Sequence, residues 1–289
     1  MIQRGVLLLA LVALSGSACD KEPPVHTSVT ATRVVTLAPS LAELAFEIGA
    51  GDRVVGVSAW SDYPEAVLDL PIVGDAFAID HEQLALLHPD LILAWESGMP
   101  AHVVDELRQS GYRVEVIRTR SLADVGQAVV QLGALLERQD AASDVVARFT
   151  GDIDRLTQKY EDAEPIRVFY QIASRPLYTI NNEHYLGDIV SLCGGVNIFH
   201  DLGELAPTIA DEAVIARDPE VMLAGDKSAA EPFKEWLRWP GIAANRYGNY
   251  FLISSDSSSR PTPRLVIAAT EICSALEKGR ENRRSTLAR

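Results

Sequence analysis

One segment of this chain occurs twice. Ile79-Asp80-His81-Glu82-Gln83-Leu84-Ala85-Leu86-Leu87-His88-Pro89-Asp90-Leu91-Ile92-Leu93-Ala94 returns as Ile209-Ala210-Asp211-Glu212-Ala213-Val214-Ile215-Ala216-Arg217-Asp218-Pro219-Glu220-Val221-Met222-Leu223-Ala224. Each copy sets a glutamate, Glu82 or Glu212, before a short apolar-periodic helix. A proline followed by an acid ends the helix, and a buried strand comes next. Two copies this far apart predict two similar lobes, each with one glutamate at a matching place. That layout suits a two-lobed binding protein docking on a symmetric partner. The competing reading is chance recurrence of helix-proline-strand units in an α/β chain. The shared register, proline and glutamate count against it.

The flanking sequence extends the alternation. Arg33 to Leu37, Val54 to Val57, Leu91 to Trp95 and Val114 to Ile117 read as strands. Between them, Ser40 with Glu43 three residues on has the pattern of a capping box. Gly49 and Gly51 end that helix, and Gly111 ends another that starts near Val103. From Ser121 to about Asp162 the apolar residues keep helical spacing with no strand-like run, which predicts two consecutive linking helices. Arg167 to Gln171, Val221 to Ala224 and Tyr250 to Ile253 are strands of a second lobe. Tyr185 to Leu192 and Pro263 to Leu276 are its helices, and a short helix at Trp236-Leu237 stops near Pro240. The charged tail from Glu277 is expected to fray. Strands alternating with helices imply parallel sheets covered on both faces. The expected fold class is therefore α/β, with two parallel-sheet lobes (33–120 and 165–280) joined through 121–164, and a tail at 281–289.

The first residues read as an export signal. Arg4 is followed by an apolar run, Gly5 to Leu14, too short to span a bilayer. Ser15-Gly16-Ser17-Ala18-Cys19 then resembles a lipoprotein cleavage site, with Cys19 as the acylated first residue. The usual leucine three places before the cysteine is Gly16, so ordinary cleavage near Ala18 is the alternative. Residues 20–32 read as a polar tether. A periplasmic location follows, with Cys19 as a candidate lipid anchor. Two other cysteines, Cys193 and Cys273, favour one disulfide in an exported chain, against two buried thiols. Such a bridge would close a loop of roughly 80 residues and contribute about 4 kcal/mol. The net charge of -14 over 289 residues argues against binding a nucleic-acid backbone.

No catalytic signature is present: no Gly-x-Ser-x-Gly, no Walker loop, no His-Glu-x-x-His. Gly49-Ala50-Gly51 lacks the third glycine of a dinucleotide loop, and no pair of histidines has metal-ligand spacing. Neither enzyme nor resident cofactor nor metal is expected. Aromatic residues at strand ends stand out instead. Trp60 follows one strand and Trp95 ends another, where ligands of open parallel sheets sit. Their flat apolar faces suit a large ligand, and Tyr178 of the second lobe is placed to oppose them. Asp256 and Arg260 follow the last strand; they orient amide or phosphate groups of a ligand, or form a local surface ion pair.

Several segments resemble one known family. They are Arg33-Val34-Val35-Thr36-Leu37-Ala38-Pro39-Ser40, Gly56-Val57-Ser58-Ala59-Trp60-Ser61-Asp62-Tyr63-Pro64, His88-Pro89-Asp90-Leu91-Ile92-Leu93-Ala94-Trp95, Cys193-Gly194-Gly195-Val196-Asn197-Ile198-Phe199 and Pro263-Arg264-Leu265-Val266-Ile267-Ala268-Ala269. Together they are similar to the class III periplasmic-binding family that carries iron-siderophores, haem and cobalamin. Ser-Asp-Tyr-Pro and Asp-Leu-Ile-Leu-Ala-Trp favour its cobalamin branch. The resemblance, over about residues 33–278, implies two lobes joined by a long rigid helix with little hinge closure. It implies a corrinoid ligand lined by Trp60 (a tyrosine in that branch), Trp95, Tyr178 (a phenylalanine there), Asp256 and Arg260. Two further pocket tryptophans are replaced by Ala76 and Ala206, with Phe77 compensating. It also implies a Cys193–Cys273 disulfide, and docking of Glu82 and Glu212 to arginines on the membrane subunits of an ABC importer.

The resulting expectation is a monomeric receptor that captures cobalamin or a related corrinoid between its lobes and delivers it to that importer. The same fold binding an iron-siderophore or haem is the alternative. It would need basic groups at the strand ends, and Arg175 and Arg260 are the candidates.

Overall fold

The computed structural model describes residues 30–289. Cys19, the export segment and most of the tether lie outside the described residues. In the first lobe β1 (Val34–Thr36), α1 (Pro39–Glu47), β2 (Val54–Val57), α2 (His81–Leu87), β3 (Leu91–Trp95), α3 (Ala101–Gln109) and β4 (Val114–Ile117) alternate. The linking helices α4 (Leu122–Leu135) and α5 (Gln139–Tyr160) follow. The second lobe begins with β5 (Ile166–Gln171), a hairpin of β6 (Ala173–Ser174) and β7 (Leu177–Tyr178), α6 (Tyr185–Leu192) and β8 (Gly195–Asn197). It continues through α7 (Asp211–Arg217), β9 (Val221–Gly225), α8 (Ala243–Tyr247), β10 (Tyr250–Ile253), α9 (Ser255–Ser258) and α10 (Leu265–Leu287).

The first sheet is parallel in the order β2-β1-β3-β4, and the second is parallel in the order β10-β9-β5-β8. Read from its other edge, the second has the order of the first, with β5, β8, β9 and β10 in the places of β1, β2, β3 and β4. The duplicated segment is α2-β3 in one lobe and α7-β9 in the other. Its proline-acid break does the same work in both. Each helix ends on a left-handed residue, His88 (φ 43°) or Asp218 (φ 44°), that turns the chain into the strand. The acid after the proline then binds the start of the neighbouring strand. Asp90 accepts from the Thr32 and Arg33 amides (2.8 and 3.0 Å), and Glu220 from the Arg167 amide (3.0 Å). An arginine at the start of each strand, Arg33 just before β1 and Arg167 as the second residue of β5, reaches back to the helix end: Arg33 Nε to Leu87 O (2.9 Å), Arg167 Nε to Asp218 O (2.8 Å).

The linking helices belong to both cores. Ser121 and Asp124 form the capping box that starts α4. Ala128, Val129, Leu132, Leu136, Ala142 and Val145 pack in the first lobe's core, whereas Val125, Phe149 and Tyr160 pack in the second's. At 22 residues, α5 spans about 33 Å. The two helices are thus a packed hairpin whose faces are divided between the lobes.

Two local expectations fail. The Ser40–Glu43 capping box does not form: Pro39 takes the first helical turn of α1, Ala38 is the cap without a side-chain bond, and both Ser40 and Glu43 are buried. Tertiary partners, described below, take Glu43 instead. The tail does not fray either. The last helix α10 runs to Leu287, with Arg280 and Arg283 buried. Arg280 donates to Glu164 O (2.6 Å) and Cys193 O (2.7 Å), and Arg283 to Pro165 O (3.1 Å) and Glu220 (3.0 Å). Strand β8 and the β6–β7 hairpin are additions that sequence pattern did not reveal. The expected disulfide joins Cys193, at the end of α6, to Cys273 in α10. Among the described residues no helix is long and apolar enough to cross a membrane.

Candidate functional site

In parallel α/β sheets the strand carboxyl ends are where side chains converge without ladder neighbours. Two adjoining cavities lie there. One, of about 280 Å³, is walled by Trp95, Thr119 and Arg120 of the first lobe and His184, Tyr185 and Ala206 of the second. The other, of about 340 Å³, is lined by Tyr170, Lys227, Ser258 and Ser259 and shares His184 and Tyr185 with the first. The cleft between the lobes therefore passes over His184 and Tyr185.

Trp95 closes β3 and stands on Gly98, whose absent Cβ leaves room for the indole. Its counterpart in the duplicated segment is Gly225, at the end of β9, which borders the second cavity. The duplication has diverged here into an aromatic wall on one side and open space on the other. Trp60 is 82% exposed, with a left-handed backbone (φ 67°). A bulky residue holds that conformation only where its surroundings impose it, and such strain concentrates at functional places. Arg260 of the second lobe supplies the constraint by donating to Trp60 O (3.0 Å). Phe77 is 88% exposed on the next loop, which is joined to the Trp60 loop by the Ala59 amide bonding to Gly74 O (2.7 Å). Tyr178 is partly buried beside segment 205–208, through Thr179 N to Pro207 O (3.1 Å), and lines neither cavity. Ala206 lines the first, while Ala76 lines neither.

Asp256 and Arg260 do not pair with each other. Asp256 accepts from Lys227 (2.6 Å). Arg260 binds Asp62 (2.6 Å) and approaches Glu43 (3.8 Å), both in the first lobe. Arg264 meets Glu43 through two bonds (2.7 and 2.6 Å) and lies over the Tyr63 ring (4.0 Å), while Thr262 also donates to Glu43. Glu43, 4% exposed, is thus the centre of a latch between the lobes. Arg260 acts in that latch and positions Trp60, rather than simply reaching for a ligand. We expect Glu43→Gln to cost about 2–3 kcal/mol, because two arginines lose their buried anion but regain some water. Urea denaturation followed by tryptophan fluorescence checks this, and an unchanged midpoint would remove the latch from the account.

His184 borders both cavities and was not singled out in the sequence. Its Nδ1 accepts from the Leu186 amide (3.2 Å) at the start of α6. It also forms the wall common to both cavities. Burial pushes its pKa down to about 4, so the ring is neutral at pH 7. Its unfolded value is about 6.5, so the unfolded chain binds the extra proton between those values. Stability is lost as pH falls from about 6.5 to about 4. Arg120 and Glu96, a bidentate pair (2.8 and 2.7 Å) on the same wall, were also missed. Glu82 and Glu212 are both exposed, each the second residue of its seven-residue helix. Among the described residues no group of three or more His, Cys, Asp or Glu could hold a metal ion.

Two lobes of equal topology, joined by helices packed into both and meeting at an aromatic-walled cleft, define a two-lobed ligand-binding protein. A sequence profile described as periplasmic binding protein matches residues 34–256, and the chain belongs to that family. It is 32% identical over 254 residues to the vitamin B12-binding protein of Vibrio campbellii, covering 88% of this chain and 92% of the relative. It is also 32% identical over 273 residues to that of Yersinia pestis, covering 93% and 90%. The crystal structure of the periplasmic vitamin B12 binding protein BtuF of Vibrio cholerae is similar with a TM-score of 0.79 at 30% identity, over 87% of this chain and 98% of the other. A periplasmic haem-binding protein, BhuT, in complex with two haems shares the fold with a TM-score of 0.74 at 23% identity, over 86% and 100% of the chains.

Proposed function

We propose that this protein is the substrate-binding component of an ABC importer, capturing cobalamin or a related corrinoid in the cleft and delivering it to the membrane permease. The likeness to vitamin B12-binding relatives supports this. The observation that carries it is the state of the cleft's charges. Both cations that line the cavities are already neutralised, Arg120 by Glu96 and Lys227 by Asp256, while Glu204 on the same wall has no cationic partner among the described residues. A wall of that kind favours a flat ligand with a neutral, amide-rich periphery over one carrying carboxylates. The haem or siderophore alternative lacks its free cation: Arg260 belongs to the latch, and Arg175 faces Glu235 (3.6 Å) and lines neither cavity. Trp95 supplies the apolar platform, with Trp60 and Phe77 at the exposed rim. Isothermal titration with cyanocobalamin, cobinamide and haem tests the reading. Cyanocobalamin should bind most tightly, and Trp95→Ala should weaken it roughly 10- to 100-fold. Tighter binding of haem would overturn the assignment.

Glu82 and Glu212 serve as the permease-docking pair. A crossover helix runs antiparallel to the strands it joins, so the amino ends of α2 and α7 lie towards the strand carboxyl ends, beside the cleft. Glu82→Lys combined with Glu212→Lys should leave cyanocobalamin affinity unchanged and lower uptake about tenfold or more. Normal uptake by the double variant would sink the docking role. The site of action is the periplasm, with Cys19 as the lipid attachment point; mass spectrometry of the native amino terminus tests the anchor.

A further inference from the structure

We infer that His184 is a ligand-contacting residue, a neutral hydrogen-bond donor to a carboxamide carbonyl of the ligand, and that Glu204 on the same wall turns this contact into a preference for carboxamides over carboxylates. The inference rests on the corrinoid reading above and names the part of the ligand that the second lobe recognises.

The geometry begins with the cap. Because Nδ1 accepts the Leu186 amide, the neutral ring carries its proton on Nε2. No described residue accepts from Nε2, and His184 lies where both cavities meet. The low pKa agrees with a ring that stays uncharged in this enclosure. The cap also disfavours metal ligation, since Nδ1 is engaged and Nε2 is protonated. What the ring offers a ligand is therefore one N–H.

The opposite wall has the same polarity. Thr119 Oγ1 and Trp95 Nε1 are buried without hydrogen-bond partners, and both residues border the cavity that His184 borders. Both atoms are closed to solvent, so they meet a ligand in that cavity only if their side chains shift. The charged groups that face His184 are Glu96 with Arg120, Glu204, and Lys227 with Asp256. Burial of a ligand carboxylate would set it against Glu204 with no free cation to balance it. A carboxamide carbonyl meets the donor without that repulsion. Neutral acceptor groups are what this wall can receive.

The test uses the full protein and two probes: cyanocobalamin, whose corrin periphery carries amides, and the corrin acid made by hydrolysing those amides to carboxylates. His184→Ser keeps an N-cap oxygen but is too short to donate into the cleft; His184→Asn serves if the serine variant fails to fold. Titration calorimetry should show the parent preferring cyanocobalamin by roughly tenfold or more. The variant should bind cyanocobalamin roughly five- to tenfold more weakly, as loss of one net hydrogen bond implies, whereas Glu204→Gln should reduce the preference between probes. Unchanged cyanocobalamin affinity in the His184 variant would mean that the ring does nothing to the ligand, and an unchanged preference in Glu204→Gln would mean that the acid does not discriminate; either overturns the inference while the corrinoid reading stands. A parent protein that binds neither corrinoid overturns both.

Discussion

Deleting residues 277–289 is expected to lower the unfolding free energy by about 5 kcal/mol, a large share of the roughly 5–15 kcal/mol that a typical domain has. Composition alone would mark this segment as a dispensable charged tail. In the structure it is the last turns of α10, and it carries Arg280 and Arg283 into the second lobe. Removing Arg280 leaves the carbonyls of Glu164 and Cys193 without their donors. Removing Arg283 leaves Glu220, itself buried and needed to hold the start of β5, with only the longer contact to Arg167 (3.5 Å). Breaking one partner of a buried ion pair costs about 3–5 kcal/mol, and orphaned carbonyls add to it. Thermal unfolding should shift down by roughly 10–20 °C. The point variant Arg283→Ala should account for more than a third of that shift. A truncated chain that melts with the parent would show that these contacts contribute nothing.

Replacing both Cys193 and Cys273 by alanine should cost about 4 kcal/mol. The bond closes a loop with a sequence separation of 80 residues, and loop-closure entropy gives that magnitude. Both cysteines are fully buried in the core that joins α6 to α10, so a reductant reaches the bond only through unfolded chain. Native protein incubated with dithiothreitol should therefore keep its disulfide for as long as it stays folded, whereas unfolded protein should lose it quickly. Denaturation midpoints of the double variant, with and without reductant, give the number directly. Equal midpoints for parent and variant would remove the bridge from the list of stabilising contacts.

These expectations show where sequence reading reaches and where it stops. The duplicated segment, the buried strands β1, β3, β5 and β9 and the paired linking helices were legible, because each depends on apolar periodicity within one short window. Glu43 was misread because its local pattern, Ser-x-x-Glu, competes with a partner 221 residues away in Arg264. Arg280 was misread for the same reason, since its acceptors lie 87 and 116 residues earlier. Strand β8 starts on the second of two glycines and has three residues, too few to show a period. Its place was nevertheless implied by β2, had the repeat been carried beyond the two helices that announced it. Position at a strand end singled out Trp60 and Trp95, of which Trp95 borders a cavity. His184 sits far from the strands legible in the sequence, so that position did not point to it. Tyr178 was placed by its position in the second lobe and by resemblance, and the fold keeps it beside segment 205–208, outside both cavities.

The linking hairpin has one more consequence. Because α4 and α5 contribute side chains to the interiors of both lobes, swinging one lobe against the other would shear two close-packed interiors at once. An opening set at the time of folding is the expected result, like the fixed jaws of a gauge. Such jaws would sort molecules by thickness before any contact is optimised and spend little free energy on motion.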